Sequence, residues 1–119
     1  MSIVEVDIHG RHPRQIMGLP LQQLVEEAWK SGVTKLVIIH GHGFHRGGPE
    51  VQGSGRLGSR VRSWLQRDYR IGHFVKRRTI DCSKPGLTSV ELQKNPHPVA
   101  SNFAIESILP PVRYEDALA

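Results

Sequence analysis

Two short stretches of the 119-residue chain carry side chains suited to moving protons beside an anion. The first is Asp7 and His9. The second is His40-Gly41-His42-Gly43. Breaking a phosphodiester needs a proton acceptor for the attacking oxygen and a way to hold negative charge. An imidazole titrates near neutral pH and suits the first task. A carboxylate can orient that imidazole or hold a metal ion; Asp7 is the candidate, with Mg2+ or Mn2+ the ion an oxygen donor would take. Gly41 and Gly43 would let backbone N–H groups approach an anion, helped by the positive end of a helix starting near residues 55–58. Each stretch also has a plainer reading: two polar residues on the wet side of a strand, and a tight glycine turn with exposed histidines. The glycines do not spell a dinucleotide fingerprint, since Arg46 stands where its last glycine would, and no Gly-Lys-Ser/Thr phosphate loop exists. His9, His40, His42 and His45 invite a zinc reading, but no compact ligand motif such as His-Glu-x-x-His accompanies them. Cys82 reads as a small buried residue rather than a nucleophile.

The elements around these residues must bring them together. Residues 3–9 alternate, with Val4, Val6 and Ile8 on one face and Glu5, Asp7 and His9 on the other. Asp7 and His9 therefore share a side, about 7 Å apart along a strand. Leu21, Leu24, Val25, Ala28 and Trp29 follow helical spacing, Pro20 suits the first turn, and Ser31-Gly32 stops the helix. A short turn from Pro13 precedes it, kinked at Gly18-Leu19-Pro20. Residues 35–40 form a second strand, whose apolar run suits burial on both faces as in a parallel sheet. Strand, helix and strand make a βαβ unit with parallel strands. Their carboxyl ends share one sheet edge, which places Asp7 and His9 near His40 and His42. Ligands bind at that edge in open α/β sheets.

Residues 41–55 are a glycine-rich loop, long for an α/β connection. Leu57, Val61, Trp64 and Leu65 then mark another amphipathic helix. Residues 75–82 and 88–92 read as two more strands around a turn at Ser83-Lys84-Pro85-Gly86. The order β-α-β-α-β-β predicts an α/β fold. Its four-stranded mixed sheet would carry both helices on one face, with Leu24, Ala28, Val61 and Leu65 packed onto it. One domain would span residues 1–94. The extension 95–119 would pack in part through Phe103, Ile105, Ile108 and Leu109 and end as a loose tail.

Charge points to a partner. The net charge is +5, yet residues 56–78 alone hold eight basic side chains against one acid, Asp68. Such a cluster is the electrostatic footprint of nucleic acid, with a solvated basic face as the plain alternative. Arg56, Arg60, Lys76, Arg77 and Arg78 are the candidate phosphate contacts. No stretch reaches the length of a membrane span, and the amino terminus lacks a signal-peptide pattern. One cysteine excludes an internal disulfide and fits a reducing compartment. The expected location is cytoplasmic, or nuclear or organellar in a eukaryotic cell.

Val6-Asp7-Ile8-His9-Gly10, followed by Ile38-Ile39-His40-Gly41-His42-Gly43, resembles the Smr (small MutS-related) domain family. That family opens on a Leu-Asp-Leu-His-Gly-like motif and places His-Gly-x-Gly after its second strand. Gly86-Leu87-Thr88-Ser89-Val90-Glu91-Leu92 is similar to its closing Gly-x-Thr-x-Val-x-Leu strand. The long 41–55 loop looks like a subgroup expanded after His-Gly-His-Gly. The resemblance implies a two-layer α/β sandwich, similar to the carboxyl-terminal domain of bacterial translation initiation factor three. It further implies nucleic-acid binding, endonuclease activity (DNA nicking or RNA cleavage) in several members, and a link to DNA repair. Asp7 and His9 match the functional pair of the first motif; His40, Gly41 and Gly43 match the second; His42 falls at its variable position. Two functions stay open: an endonuclease, metal-assisted or not, and a module that holds branched or structured DNA or RNA without cutting. A chain this close to the bare domain would lean on a protein partner for substrate choice.

Overall fold

In the computed structural model, residues 2–41 and 55–99 are described, with residues 55 and 56 described for backbone only. The chain runs β1 (Ile3–Asp7), α1 (Pro13–Ile16), α2 (Leu19–Lys30), β2 (Lys35–Ile39), α3 (Gly55–Arg67) and β3 (Leu87–Glu91). Two 3-10 turns, Tyr69–Ile71 and Arg77–Thr79, lie between α3 and β3.

Local chemistry explains the helices. His12 caps α1: its ring accepts from the Arg14 amide while Gln15 Oε1 accepts from the His12 amide, and Pro13 takes the first helical position. Gly18, at φ +86°, makes the break between α1 and α2 that the Gly-Leu-Pro run predicts. At the far end of α2, Gly32 also has positive φ, its amide donating to Trp29 O and the next, that of Val33, to Ala28 O. Those two bonds satisfy carbonyls the helix leaves open and turn the chain into β2.

The sheet has order β1-β2-β3. β1 and β2 are parallel, in register Ile3↔Lys35 to Asp7↔Ile39, as the βαβ reading requires. β3 is antiparallel to β2, with Leu36 opposite Val90 and Ile38 opposite Thr88. Val6, Leu36, Ile38 and Val90 face the core with Leu21, Leu24, Val25 and Ala28 of α2 and Leu57, Val61, Trp64 and Leu65 of α3. Fully burying a branched aliphatic side chain stabilises a fold by about 1.5–3 kcal/mol, so this shared face dominates the energetics.

Two expectations are corrected. β2 is not covered on both faces: Leu36 and Ile38 are fully buried, whereas Val37 and Ile39 are only half-buried. With β1 also exposing Glu5 and Asp7, the second face of the sheet stays partly open. The described residues form three strands, not four. Residues 75–82 contribute only isolated bridges, Val75 to Leu92 and Asp81 to Ser89. Between them the chain winds into the Arg77–Thr79 turn, where the Thr79 amide and hydroxyl both donate to Lys76 O. Arg77 reaches away from the sheet, donating to the carbonyls of Leu65 and Asp68. A strand needs its amides in the ladder, and these are spent on the turn. After β3, Asn95 Nδ2 donates to Trp29 O and the Val99 amide to Lys30 O, tying residues 95–99 to the end of α2. The packing expected of Phe103, Ile105, Ile108 and Leu109 lies outside the described residues.

Asp68 fastens the far end of α3. One carboxylate oxygen accepts from the Arg70 amide and Nε at 2.9 and 3.0 Å, the other from Arg70 Nη2 at 2.6 Å. These bonds hold the Asp68 carboxyl at about 2, below its ordinary 3.8. The folded value is lower than the unfolded one, so the stabilisation is complete above about pH 4 and fades as pH falls toward about 2. Asp68→Asn is expected to lower stability at pH 7 by about 1–2 kcal/mol and to flatten the acid dependence in that window. Urea unfolding at pH 7 and pH 3 checks it; equal acid sensitivity in both proteins would show that Asp68 contributes nothing.

Candidate functional site

The carboxyl ends of β1 and β2 meet, as their parallel pairing demands. The Ile8 amide donates to Ile39 O at 2.8 Å, extending the ladder past the last strand pair. Gly41 then lies directly against His9: a methyl added at Gly41 would sit 3.2 Å from His9 Cβ. Gly41 also has φ +81°, a backbone conformation that side chains other than glycine disfavour. Glycine is thus needed twice here, for the turn and for the approach of His9.

Asp7 and His9 form a coupled pair. His9 Nδ1 lies 2.5 Å from Asp7 Oδ1, and the same oxygen accepts from the His9 amide at 3.0 Å. An ionised carboxylate only accepts, so Nδ1 carries the proton and Nε2 of the neutral ring is left as a base. Both side chains are open to solvent, at 66% for His9 and 52% for Asp7. β1 ends at Asp7, so His9 lies in the turn that follows and not on a strand reaching residue 9; the Asp7 carboxylate, bonded to both the amide and the ring of His9, draws the pair together.

His40 differs. It is buried, at 3% exposure. Its Nδ1 is 3.0 Å from Gly41 O and its Nε2 is 2.9 Å from Thr88 Oγ1. A carbonyl cannot donate, so Nδ1 supplies that proton. Arg62 Nε donates to Thr88 Oγ1 at 2.8 Å, leaving the threonine hydroxyl proton to serve His40 Nε2. The chain of donors runs from Arg62 through Thr88 to His40. Arg62 Nη2 also donates to Lys84 O and Leu87 O. The amides of both His40 and Gly41 donate to Gly86 O, at 3.0 and 2.9 Å. Arg62 and Thr88 belong to the hydrogen-bond chain of the candidate site, and sequence reasoning missed them. Arg62 had no signal beyond membership of the basic run; Thr88 stood in a quoted motif without a role.

The remaining candidates separate. His42 and Gly43, His45 and the rest of the 41–55 loop up to Ser54 lie outside the described residues, as does the Arg56 side chain. Arg60 and Arg78 are exposed and Lys76 is half-buried. Arg77 braces α3 through the carbonyls already named. Arg70 is paired with Asp68. Among the described residues no group of three His, Cys, Asp or Glu side chains could hold a metal ion. No helix among them is long and apolar enough to cross a membrane.

Comparison with known proteins matches one family. The family model described as the Smr domain covers residues 6–93, from the end of β1 to just beyond β3. Neither a curated protein nor a solved structure matches the chain. With most of its length inside that match, the chain belongs to the Smr domain family.

Proposed function

We propose that this Smr domain binds DNA or RNA and cuts it, with His9 as the base. The family is generally linked to nucleic-acid binding and nuclease activity. The observation that carries the proposal is the Asp7–His9 pair, oriented at 2.5 Å and set against the Gly41 turn. His9 Nε2 would take the proton from the attacking oxygen, of water or, in RNA, of the adjacent 2′-hydroxyl. That oxygen bonds to phosphorus as the bond to the leaving oxygen breaks. Asp7 keeps the ring in the right tautomer and supports the imidazolium that forms. His42 is assigned the proton delivered to the leaving oxygen. Gly43 is assigned to the phosphate, since the Gly41 amide already donates to Gly86 O. His40, a catalytic candidate by its motif, shapes the turn through its two ring bonds. If Mg2+ or Mn2+ takes part, Asp7 would hold it, its other ligands being water and phosphate, and it would neutralise developing charge.

The same reading includes finer assignments. The 41–55 loop in sequence supports the subgroup with an expanded loop after His-Gly-His-Gly. The domain is taken as residues 1–94 with 95–119 as an extension, related in layout to the carboxyl-terminal domain of translation initiation factor three, and working in the reducing cytoplasm. Arg60, Lys76 and Arg78 are the phosphate contacts retained from the basic run. Arg56 joins them from sequence, and Arg77 contributes while bracing α3.

Two outcomes test this reading, and a third tests the hydrogen-bond chain that shapes the Gly41 turn. His9→Ala is expected to lower the cleavage rate at least about a hundredfold, because general acid–base help is worth about 10²–10⁴. Its affinity for the same DNA or RNA should change little. Nicking of supercoiled plasmid and cleavage of structured RNA, with Mg2+, Mn2+ or chelator, give the rates; equal cutting by His9→Ala would end the mechanism. A wild type that binds but never cuts would leave the holding module as the function. Affinity should fall steeply with salt, and Arg60→Ala/Arg78→Ala should make the log–log slope shallower by about two. Thr88→Val is expected to destabilise the fold by about 1–3 kcal/mol by leaving buried donors and acceptors unpaired, with Thr88→Ser near wild type. Thermal unfolding of the three proteins decides it.

A further inference from the structure

A second feature lies on the helical side. Two adjoining cavities, of about 320 and 340 Å3, run between α1 and α3 and share Met17 and Arg60. Arg14 lines the first and Arg67 the second. Arg14, Arg60 and Arg67 are all exposed, and none makes an ion pair among the described residues. The acid beside them, Asp68, is already satisfied by Arg70. Met17 and Trp64 supply an apolar floor. Directly after Asp68 stands Tyr69, which is 84% exposed and the most exposed large aromatic among the described residues. His12, which lines the near end, follows His9 by three residues and so lies within about 11 Å of it along the chain.

We infer that this α1–α3 groove takes a single-stranded segment of nucleic acid running on from the His9 site. Its phosphates would sit on Arg14, Arg60 and Arg67, and one base would stack on Tyr69. Basic side chains along a groove, with an exposed aromatic one residue beyond its lining, offer the charge and stacking by which unpaired strands are held without base reading. Each cavity has the size of a small-ligand pocket, enough for one nucleotide. A duplex keeps its bases stacked inside and has nothing to offer an apolar floor or Tyr69. The inference rests on the nucleic-acid reading above and names the form of the substrate.

The test is fluorescence anisotropy of the full chain with a labelled 12-nucleotide single strand, as DNA and as RNA, and a labelled hairpin duplex. Tyr69→Ala is expected to weaken single-strand binding about tenfold, with Tyr69→Phe restoring it and the duplex unaffected. Arg14→Gln/Arg67→Gln should weaken single-strand binding and make its salt slope shallower by about 1.4. All these side chains are exposed, and unchanged circular dichroism and melting will show that the variants fold. Equal losses for single strand and duplex, or salt-dependent binding untouched by either variant, overturn the groove and leave the nucleic-acid reading standing. Failure of the wild type to bind any of the probes at low salt overturns both.

Discussion

The end of β2 is held by a buried chain of hydrogen bonds, and the site's geometry depends on it. Arg62 donates to Thr88, Thr88 serves His40, and His40 donates to Gly41 O. Gly86 O meanwhile gathers the His40 and Gly41 amides. A polar group buried without a partner costs about 1–3 kcal/mol, more for a charged one, so each member holds the others in place. The chain ties α3, β2 and β3 together where the sheet would otherwise fray. It also determines where Gly41 lies, and Gly41 limits where His9 can lie.

This arrangement divides labour between two histidines that look alike in sequence. His9 stands open in the turn after β1, with one nitrogen bonded to Asp7 and no partner for the other among the described residues. His40 is buried with both nitrogens engaged. The first has a ring nitrogen facing solvent; the second gives the turn its shape. A similar division runs through the basic cluster. Arg62, Arg70 and Arg77 satisfy carbonyl and carboxylate oxygens of the fold, while Arg60, Arg67 and Arg78 keep their charge outward. Net charge by itself overstates the binding surface, because part of it is committed to structure.

Local pattern carried far in this chain. Alternation gave β1 its buried Val6 between exposed Glu5 and Asp7, helical spacing marked α2 and α3, and a βαβ order required parallel strands whose ends converge. These follow from periods of two and 3.6 residues and from the short reach of a crossover, all written within a few neighbouring positions. The family motifs were legible for the same reason. The fourth strand failed because the apolar pattern around residues 75–82 resembles a strand wherever it folds. The Arg77–Thr79 turn depends on carbonyls of Leu65 and Asp68, some ten residues away.

What the sequence by itself determined was the kind of residue at each strand end, the parallel β1–β2 pair and the basic character of α3. What only the tertiary structure decided was which of those residues are spent on the fold. Arginines in a charge run are indistinguishable until packing turns one face of the helix inward. Arg62 meets Thr88 across 26 positions, and His40 meets it across 48. Hydrogen bonding is short-ranged and directional, so such partners are chosen by how the layers stack rather than by spacing along the chain. The half-open second face of β2 has the same origin: an apolar strand states that it can be buried, and only the placement of the helices settles on which side.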